Sequence, residues 1–282
     1  MSARTPNISV SVDVTNPGQF FACCGLLELA DRLWPGAEGW FEDSTFGIAC
    51  RGTLEELLNQ LTQSEIRSSL TSGELERLAS LLSKEKAALS ETEQEEKVGL
   101  QEKWRMERLC LTEPFNIWLG WWRDESGERT ALKTWAAKQL VAKMANRMFS
   151  IVRGRIIAHG LEACNLFFES SDDSLPFNFD SDLCRTGNAR DAGFSADTLG
   201  LKSSYRPLLE LLAFIAHQRF RPAPLGERFT YYTWAEPLPP LIAAACVPGL
   251  ISLTTRRGYA FGLFNRTKYM KAFLPATLVS GT

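Results

Sequence analysis

Hydrophobic and polar residues alternate from residue 7 to residue 14, which is the pattern of a β-strand with one buried face. The strand is broken at Asn16-Pro17-Gly18. Apolar residues then recur at spacings of three and four as far as Leu33, and this predicts a helix packed on the strand. Two β-like runs follow at residues 39–41 and 45–50. Residues 1–52 are therefore predicted to form a β-α-β-β unit.

The next segment is rich in Glu, Lys and Leu. Thr53 and Glu56 have the spacing of a capping box, in which a hydroxyl and a carboxylate satisfy free backbone donors of the first helical turn. Ser90 and Glu93 repeat that spacing, and leucines between residues 73 and 111 recur at helical intervals. We predict that residues 53–112 insert a largely solvated, projecting helical hairpin.

The rest of the chain, residues 113–282, contains segments with the two-residue period of strands and segments with the roughly 3.6-residue period of helices. Residues 115–122 are aromatic and β-like, residues 130–150 have the pattern of an amphipathic helix, and residues 206–218 that of a buried helix. Residues 170–199 show no sustained period and are interpreted as a long loop. Strands are predicted at 229–234, 250–254 and 259–264. The fold class predicted is α+β with a β-rich C-terminal part, in one body with residues 1–52.

Net charge conceals an asymmetry between the two halves of the chain. The total is −2, but residues 1–128 hold 12 basic and 22 acidic side chains, whereas residues 129–282 hold 19 and 11. An excess of positive charge in one part of a chain suggests a surface for a polyanion. No apolar stretch approaches the roughly 20 residues that span a bilayer, and the N-terminus lacks the apolar core of a signal peptide. We therefore expect a cytoplasmic protein without a membrane partner.

Residues suited to catalysis are few. The two histidines, His159 and His217, have no nucleophile or carboxylate at a recognisable spacing, and both are interpreted as core residues. Seven scattered cysteines have no zinc-site spacing. The acidic residues between 172 and 182 lack the spacing of a calcium loop and are interpreted as solvated loop acids. We predict no catalytic residue, no metal and no cofactor.

Basic residues that lie near aromatic ones are the feature of the sequence that indicates nucleic-acid binding. Arg256 and Arg257 precede Tyr259 at a predicted hairpin tip, and Arg266 and Lys268 follow closely. Arginine binds phosphates and stacks on bases, and exposed rings can stack the bases of a single strand. The alternative, weighted equally, is that the rings are core and the arginines are a solvated tip. The tryptophans, including Trp118, are interpreted as core.

Two further groups could contact nucleic acid. Arginines at 147, 153 and 155 could follow a phosphate backbone, although a solvated helix face is the alternative. The loop at 185–190 carries side chains that read base edges, although they could equally brace the loop internally. The complete predicted set is Arg147, Arg153, Arg155, Arg185, Asn188, Arg190, Arg256, Arg257, Arg266 and Lys268.

Three blocks of sequence carry a family resemblance. They are residues 12–30 (VDVTNPGQFFACCGLLELA), 179–180 (FD) with 191–195 (DAGFS), and 208–215 (LLELLAFI) with 218–222 (QRFRP). In this order they resemble the type I-U CRISPR effector-subunit family, also called type I-G. That family is regarded as a large-subunit-like component of the multi-subunit Cascade complex. The resemblance transfers no residue role.

The resemblance implies a non-catalytic subunit that binds guide RNA and target DNA beside the other Cascade subunits. Such a subunit could read the motif flanking the target before a separate helicase-nuclease is recruited. Residues 73–111 of the hairpin are expected to carry most of the acidic excess, and this acidic hairpin would then face protein partners, because like charge repels nucleic acid. Two alternatives stay open. One is a metal-free endonuclease that processes guide RNA through His159, beside Arg153 and Arg155, or through a tyrosine such as Tyr231. The other is a purely structural adaptor in the same complex.

Overall fold

A computed structural model describes residues 5–85, 88–123, 130–135, 139–159, 167–173, 175–182, 204–251, 253, 255–265 and 271–279. Within these residues the protein is α+β, with seven helices and twelve short strands in small antiparallel sheets. No helix in this part of the chain is both long enough and apolar enough to cross a membrane. The predicted fold class is confirmed.

The N-terminal unit has the predicted β-α-β-β order. It consists of β1 (Ile8–Ser11), α1 (Pro17–Leu33), β2 (Glu38–Glu42) and β3 (Thr45–Ala49). The sheet order is β1-β3-β2, with both pairs antiparallel. Helix α1 begins where the sequence pattern breaks. The Asn16 side chain accepts hydrogen bonds from the backbone of Gly18 and Gln19, and Pro17 occupies the first helical turn.

Helix α1 lies at the centre of the molecule. Residues 17–30 are all buried, as are all ten residues of a second helix, α6 (Pro207–Ala216). A helix that is apolar on every side is expected to be surrounded by protein. The two helices touch at Gly25, because a Cβ atom there would lie only 2.2 Å from the carbonyl oxygen of Leu212. Glycine at this position therefore permits their close approach.

The predicted hairpin is confirmed, and it is joined to a small sheet. The segment contains α2 (Leu54–Gln63), β4 (Ile66–Ser68), α3 (Ser72–Ser83), α4 (Glu91–Arg105) and β5 (Leu109–Leu111), and β6 (Ile117–Leu119) follows it. Both predicted capping boxes are formed, and Thr71 with Glu74 forms a third. Helix α4 buries only Leu100, so its solvation is as predicted. Strands β4, β5 and β6 form one antiparallel sheet.

Two of the predicted elements differ from the structure, one in where it begins and the other in being absent from the described residues. The helix predicted over 130–150 is α5 (Val141–His159), and residues 130–135 form turns although Leu132 and Trp135 are buried. Turns can bury residues three apart as a helix does, so the spacing alone was ambiguous. The strand predicted at 250–254 is absent from residues 250, 251 and 253. There the backbone amide of Leu250 bonds back to the carbonyl of Ala245 instead of joining a sheet.

A four-stranded sheet completes the body of the protein. Its order is β12-β9-β8-β7, formed by β7 (Ala223–Leu225), β8 (Arg228–Thr233), β9 (Arg257–Phe261) and β12 (Thr277–Leu278). Helix α7 (Pro240–Cys246) follows β8, and β10 (Leu263–Asn265) pairs with β11 (Lys271–Phe273). The Phe20 ring of α1 stacks on Phe41 and Tyr231, and the Phe41 amide donates to the Trp234 carbonyl at 2.8 Å. The first and last parts of the chain thus share one core.

Candidate nucleic-acid interface

An open cavity of about 670 Å³ lies where the four-stranded sheet meets the β2–β3 turn. Its lining includes Arg256 and Arg257, at the start of β9, together with aromatic residues such as Trp234 and Tyr259. A second cavity, of about 550 Å³, shares Arg257 and Asp43 with the first and extends towards Phe168. The structure thus places the predicted pair of arginines beside two adjoining cavities.

Arg256 is held in place by its neighbours. Its guanidinium lies 4.8 Å from the centroid of the Tyr232 ring and donates to the carbonyls of Ile251 at 3.3 Å and Gly249 at 3.5 Å. The Tyr232 ring itself fits between Gly249 and Gly258, where a Cβ atom at either position would come within 2.7 Å of it. Two glycines therefore make room for the ring on which Arg256 rests.

The side chain of Arg257 is exposed and has no hydrogen-bond or ion-pair partner among the described residues. Its backbone is fixed by the pairing of β9 with β8, in which Arg257 lies opposite Thr233. A guanidinium on a rigid strand, open to solvent, can bind a phosphate with two parallel hydrogen bonds. Of the predicted residues in this cavity, Arg257 is the one best placed to do so.

Acidic side chains line the same cavities. Glu42 and Asp43 lie on the β2–β3 turn, and both are exposed. Asp43 adopts a φ of +49°, in the left-handed region that Asn and Asp tolerate better than most residues. We call the two adjoining cavities the Arg257 cleft. The cleft is mixed in charge, with arginines on the β9 side and carboxylates at the β2–β3 turn. A polyanion would be attracted by the first and repelled by the second.

The arginines of α5 do not form one basic face. Arg147 is exposed and has no partner among the described residues. Arg153 donates to the carbonyl of Ser64 and lies 5.0 Å from the centroid of the Phe149 ring. Arg155 donates to the carbonyls of residues 169 and 170 and pairs with the Glu169 carboxylate at 3.6 Å. Only Arg147 is available, because the other two are engaged within the protein.

The remaining predicted residues cannot be placed. Arg185, Asn188, Arg190, Arg266 and Lys268 lie outside the described residues, as does the side chain of His159. Their predicted roles stay predictions.

The hairpin is not the acidic surface that was expected. Residues 73–111 carry nine acidic and seven basic side chains. Several of them pair with one another, as Arg77 does with Glu96 at 2.6 Å and Lys84 with Glu93 at 2.7 Å. Most of the acidic excess of the first half therefore lies outside the hairpin. Charge repulsion does not decide which partner this hairpin faces.

His217 is a core residue, as predicted. It is fully buried among aromatic rings, with the centroids of Phe21 at 4.3 Å and Trp121 at 4.9 Å. Burial lowers the pKa of the imidazole from its ordinary value of 6.5 to about 3, because the charged form loses its hydration. His217 is therefore neutral at physiological pH and inaccessible to a substrate.

Tyr231, one candidate for a metal-free endonuclease, is buried as well. Its hydroxyl donates to the carbonyl of Val14 at 2.6 Å, and burial raises its pKa well above the ordinary value of 10. A group with no access to solvent cannot take a proton from an RNA hydroxyl. The endonuclease hypothesis then depends on His159 or on another tyrosine.

The described parts of the blocks that carry the family resemblance meet in the core. The Asn16 amide donates to the Asp180 carboxylate at 2.8 Å, and its oxygen accepts from the backbone of Ser181 at 3.2 Å. The Glu210 carboxylate, on α6, accepts from the backbone amides of residues 179 and 180, both at 3.1 Å. These side chains are almost completely buried. They join the start of α1, the 179–182 segment and α6, and we call them the polar junction.

One basic residue completes this junction. Arg206 pairs with the carboxylates of Asp180 and Asp182, both at 3.2 Å. Burial raises the pKa of Asp180, and the nearby Arg206 partly opposes that effect. The interpretation of Asp180 as a solvated loop acid is wrong, since it is an internal brace. Within the described part of the chain no cluster of His, Cys, Asp or Glu is placed to hold a metal ion.

Sequence reasoning missed one exposed aromatic residue. All eight tryptophans lie in described segments, and Trp118 alone is exposed, with 58% of its surface accessible. The expectation that it belongs to the core is wrong because Trp118 lies on the solvent side of β6, between the buried residues 117 and 119. Strict alternation over these three residues was the available signal.

Comparisons with models of known protein families, with curated proteins and with solved structures find no match to this chain. The resemblance to the type I-U family therefore stays a prediction.

Proposed function

We propose that this protein is a non-catalytic, nucleic-acid-binding subunit of a type I CRISPR Cascade complex in the cytoplasm. In this role it contacts guide RNA and target DNA and takes part in reading the motif that flanks the target. The observation that supports nucleic-acid binding is that the exposed Arg257 lines two adjoining cavities, the first of which Arg256 also lines. The assignment to Cascade rests on the sequence resemblance alone.

The cleft geometry supports binding of a phosphate backbone. Arg257 projects from a paired strand, so its backbone is fixed before an anion binds, and the Arg256 side chain is already oriented by Tyr232 and two carbonyls. Preorganised donors lower the entropic cost of binding. Facing carboxylates at the β2–β3 turn would confine the phosphates to the β9 side. The bound strand would then follow one wall of the cleft.

Exposed apolar side chains favour an additional protein contact, as a Cascade subunit or a structural adaptor requires. Leu241 and Leu250 are 69% and 81% accessible. Leu241 lies at the start of α7, and Leu250 follows the end of this helix, where its backbone amide bonds to the carbonyl of Ala245. Exposed apolar surface commonly marks a protein interface. Other Cascade subunits are the partners proposed for these side chains, and the helicase-nuclease is an indirect one.

The decisive experiment measures nucleic-acid binding by the complex purified with the neighbouring gene products. We expect guide RNA to co-purify. Replacing Arg256 and Arg257 together by alanine should weaken binding of target DNA about ten- to a hundredfold near 0.1 M salt. It should also reduce the slope of log affinity against log salt by about two, because each lost phosphate contact removes roughly one released counterion.

Arg51→Ala is the matched control, since Arg51 is also exposed and has no partner among the described residues. It should change neither affinity nor salt slope. If the double variant binds like the unchanged protein, the cleft is not the binding site. If no RNA or DNA crosslinks to the subunit in the assembled complex, the adaptor function replaces the one proposed.

A further inference from the structure

A second surface in the molecule combines an exposed aromatic ring with arginines. The outer face of the β4-β5-β6 sheet is open to solvent, because Arg67 in β4 and Trp118 in β6 are exposed. The residues on the opposite face are buried, as Ile66 is in β4, both end residues are in β5, and the two neighbours of Trp118 are in β6. Strand pairing places Arg67 opposite Cys110 and Cys110 opposite Trp118, so the three form one row across the sheet. Neighbouring strands are about 4.8 Å apart, which puts the two outer residues roughly 10 Å from each other.

A second arginine reaches the same face from the next row. Arg108 is exposed, and its Cγ atom lies 3.3 Å from the position that a Gly120 side chain would take. Gly120 follows Trp118 by two residues, so Arg108 is diagonal to the indole, at about 7–8 Å between backbone positions. The absence of a side chain at Gly120 lets Arg108 lie across β6 beside the ring.

The charges and shapes of this face suit a strand of nucleic acid. Arg108 has no ion pair among the described residues, and the exposed pair of Arg67 with Glu65, at 3.1 Å, is of the kind that contributes little. Both guanidinium groups can therefore turn to phosphates. The side chains between them, Ser69 and Cys110, are small and leave the indole uncovered.

We infer that this outer face binds a single-stranded segment of nucleic acid, with an unpaired base stacked on Trp118 and the backbone held by Arg67 and Arg108. Stacking on an aromatic ring tolerates any base, whereas reading a sequence requires hydrogen bonds to base edges. The face therefore serves to hold a strand, not to select a sequence. This inference rests on the proposed function in assuming that nucleic acid reaches the protein, but it concerns a separate surface from the Arg257 cleft.

The test measures binding of uridine and thymidine 15-mers to the purified chain by fluorescence anisotropy. Trp118→Ala should weaken binding about 5- to 150-fold, and Trp118→Phe should restore most of the affinity because the phenyl ring still stacks. Arg67→Ala and Arg108→Ala should each lower the salt slope by about one. Val98→Ala, at an α4 residue 55% exposed, is the matched control and should have no effect. Comparing the two 15-mers distinguishes an RNA strand from a DNA strand.

Cys110 supplies a readout within the same row. It is a free, partly accessible thiol, and so is Cys50, which lies outside this sheet. Bound 15-mer should slow alkylation of Cys110 and leave that of Cys50 unchanged, as measured by mass spectrometry of the labelled peptides.

Three outcomes would overturn the inference, and they differ in what else they affect. If Trp118→Ala binds both 15-mers normally while the Arg256 and Arg257 double variant does not, the outer face is wrong and the proposed function stands. If no strand binds either the purified chain or the assembled complex, the inference and the proposed function both fail. If Trp118→Ala binds strands normally but no longer assembles with the neighbouring gene products, the face is a protein contact.

Discussion

The polar junction and the Arg257 cleft both contain charged and polar side chains, but they differ in the burial of these side chains and in the hydrogen bonds that they make. In the junction, Asn16, Asp180 and Glu210 are buried and their hydrogen bonds join three segments that are far apart in the sequence. In the cleft, the Arg257 side chain is exposed, and the described residues offer its guanidinium neither a hydrogen bond nor an ion pair. The side chains of the polar junction bind other parts of the protein, whereas the Arg257 side chain is available to a ligand.

This difference shows that a distinctive run of sequence need not be a functional site. The blocks that carry the family resemblance supply the junction and the packed pair α1 and α6, where Gly25 meets Leu212. Such residues are restricted because few others fit, which makes them recognisable. Surface residues that bind a partner are less restricted by the fold, and neither Trp118 nor Arg257 lies in these blocks. These blocks thus contribute to the scaffold, and the surfaces available to a partner are identified from the structure.

Removing Asn16 should have the largest effect on stability. Asn16→Ala deletes the cap of α1, removes the amide hydrogen bond to the Asp180 carboxylate and leaves the buried backbone amide of Ser181 without its acceptor. We expect the free energy of unfolding to fall by about 3 kcal/mol. The measurement is urea unfolding at neutral pH. Thr53→Ala, which removes the exposed cap of α2, is the control and should cost about 1 kcal/mol. Equal losses in the two variants would show that the junction contributes no more than an ordinary cap.

His217 should make stability depend on pH. Its pKa is about 3 in the folded protein and about 6.5 when unfolded, so between these values the unfolded chain binds the extra proton. Stability should therefore fall as pH decreases below 6.5, by about 1.4 kcal/mol per pH unit and by about 3 kcal/mol at pH 4. His217→Phe, which keeps an aromatic ring in the core, should lack this loss.

Urea unfolding of both proteins between pH 7 and pH 4 makes this comparison. Asp180 acts in the opposite direction, because its raised pKa favours the folded state as pH falls. Its contribution is present in both proteins and cancels in their difference. Parallel profiles for His217→Phe and the unchanged protein would contradict the buried, neutral imidazole.

The smallest effect is expected in the cleft itself. Asp43→Asn removes a carboxylate that faces Arg257 and keeps a residue that tolerates the φ of +49°. Affinity for nucleic acid should rise about two- to fivefold, a size typical of a single exposed charge. Titration with labelled DNA at low salt measures it. Glu55→Gln, which makes the same change at an exposed position on α2, should leave affinity unchanged. A loss of affinity in Asp43→Asn would show that the carboxylate takes part in binding.

Local patterns determined much of the secondary structure. Alternation identified β1, the break at Asn16-Pro17-Gly18 located the start of α1, and the spacing of Thr53 with Glu56 located the start of α2. These signals depend on hydrogen bonds and periods within a few residues. The helix predicted at 130–150 was placed to begin too early because burial of Leu132 and Trp135 depends on distant parts of the chain, which local spacing cannot reveal.

The sequence alone determined the α+β class, the capped hairpin and the contrast between an acidic and a basic half. Only the tertiary structure decided which of those charges are available. Arg153 and Arg257 look alike in the sequence, yet the first bonds to Ser64 and the second meets solvent. Trp118 and Trp121 are three residues apart, yet one is exposed and the other is buried. Exposure depends on which distant segments cover a side chain, and that is settled when the chain folds.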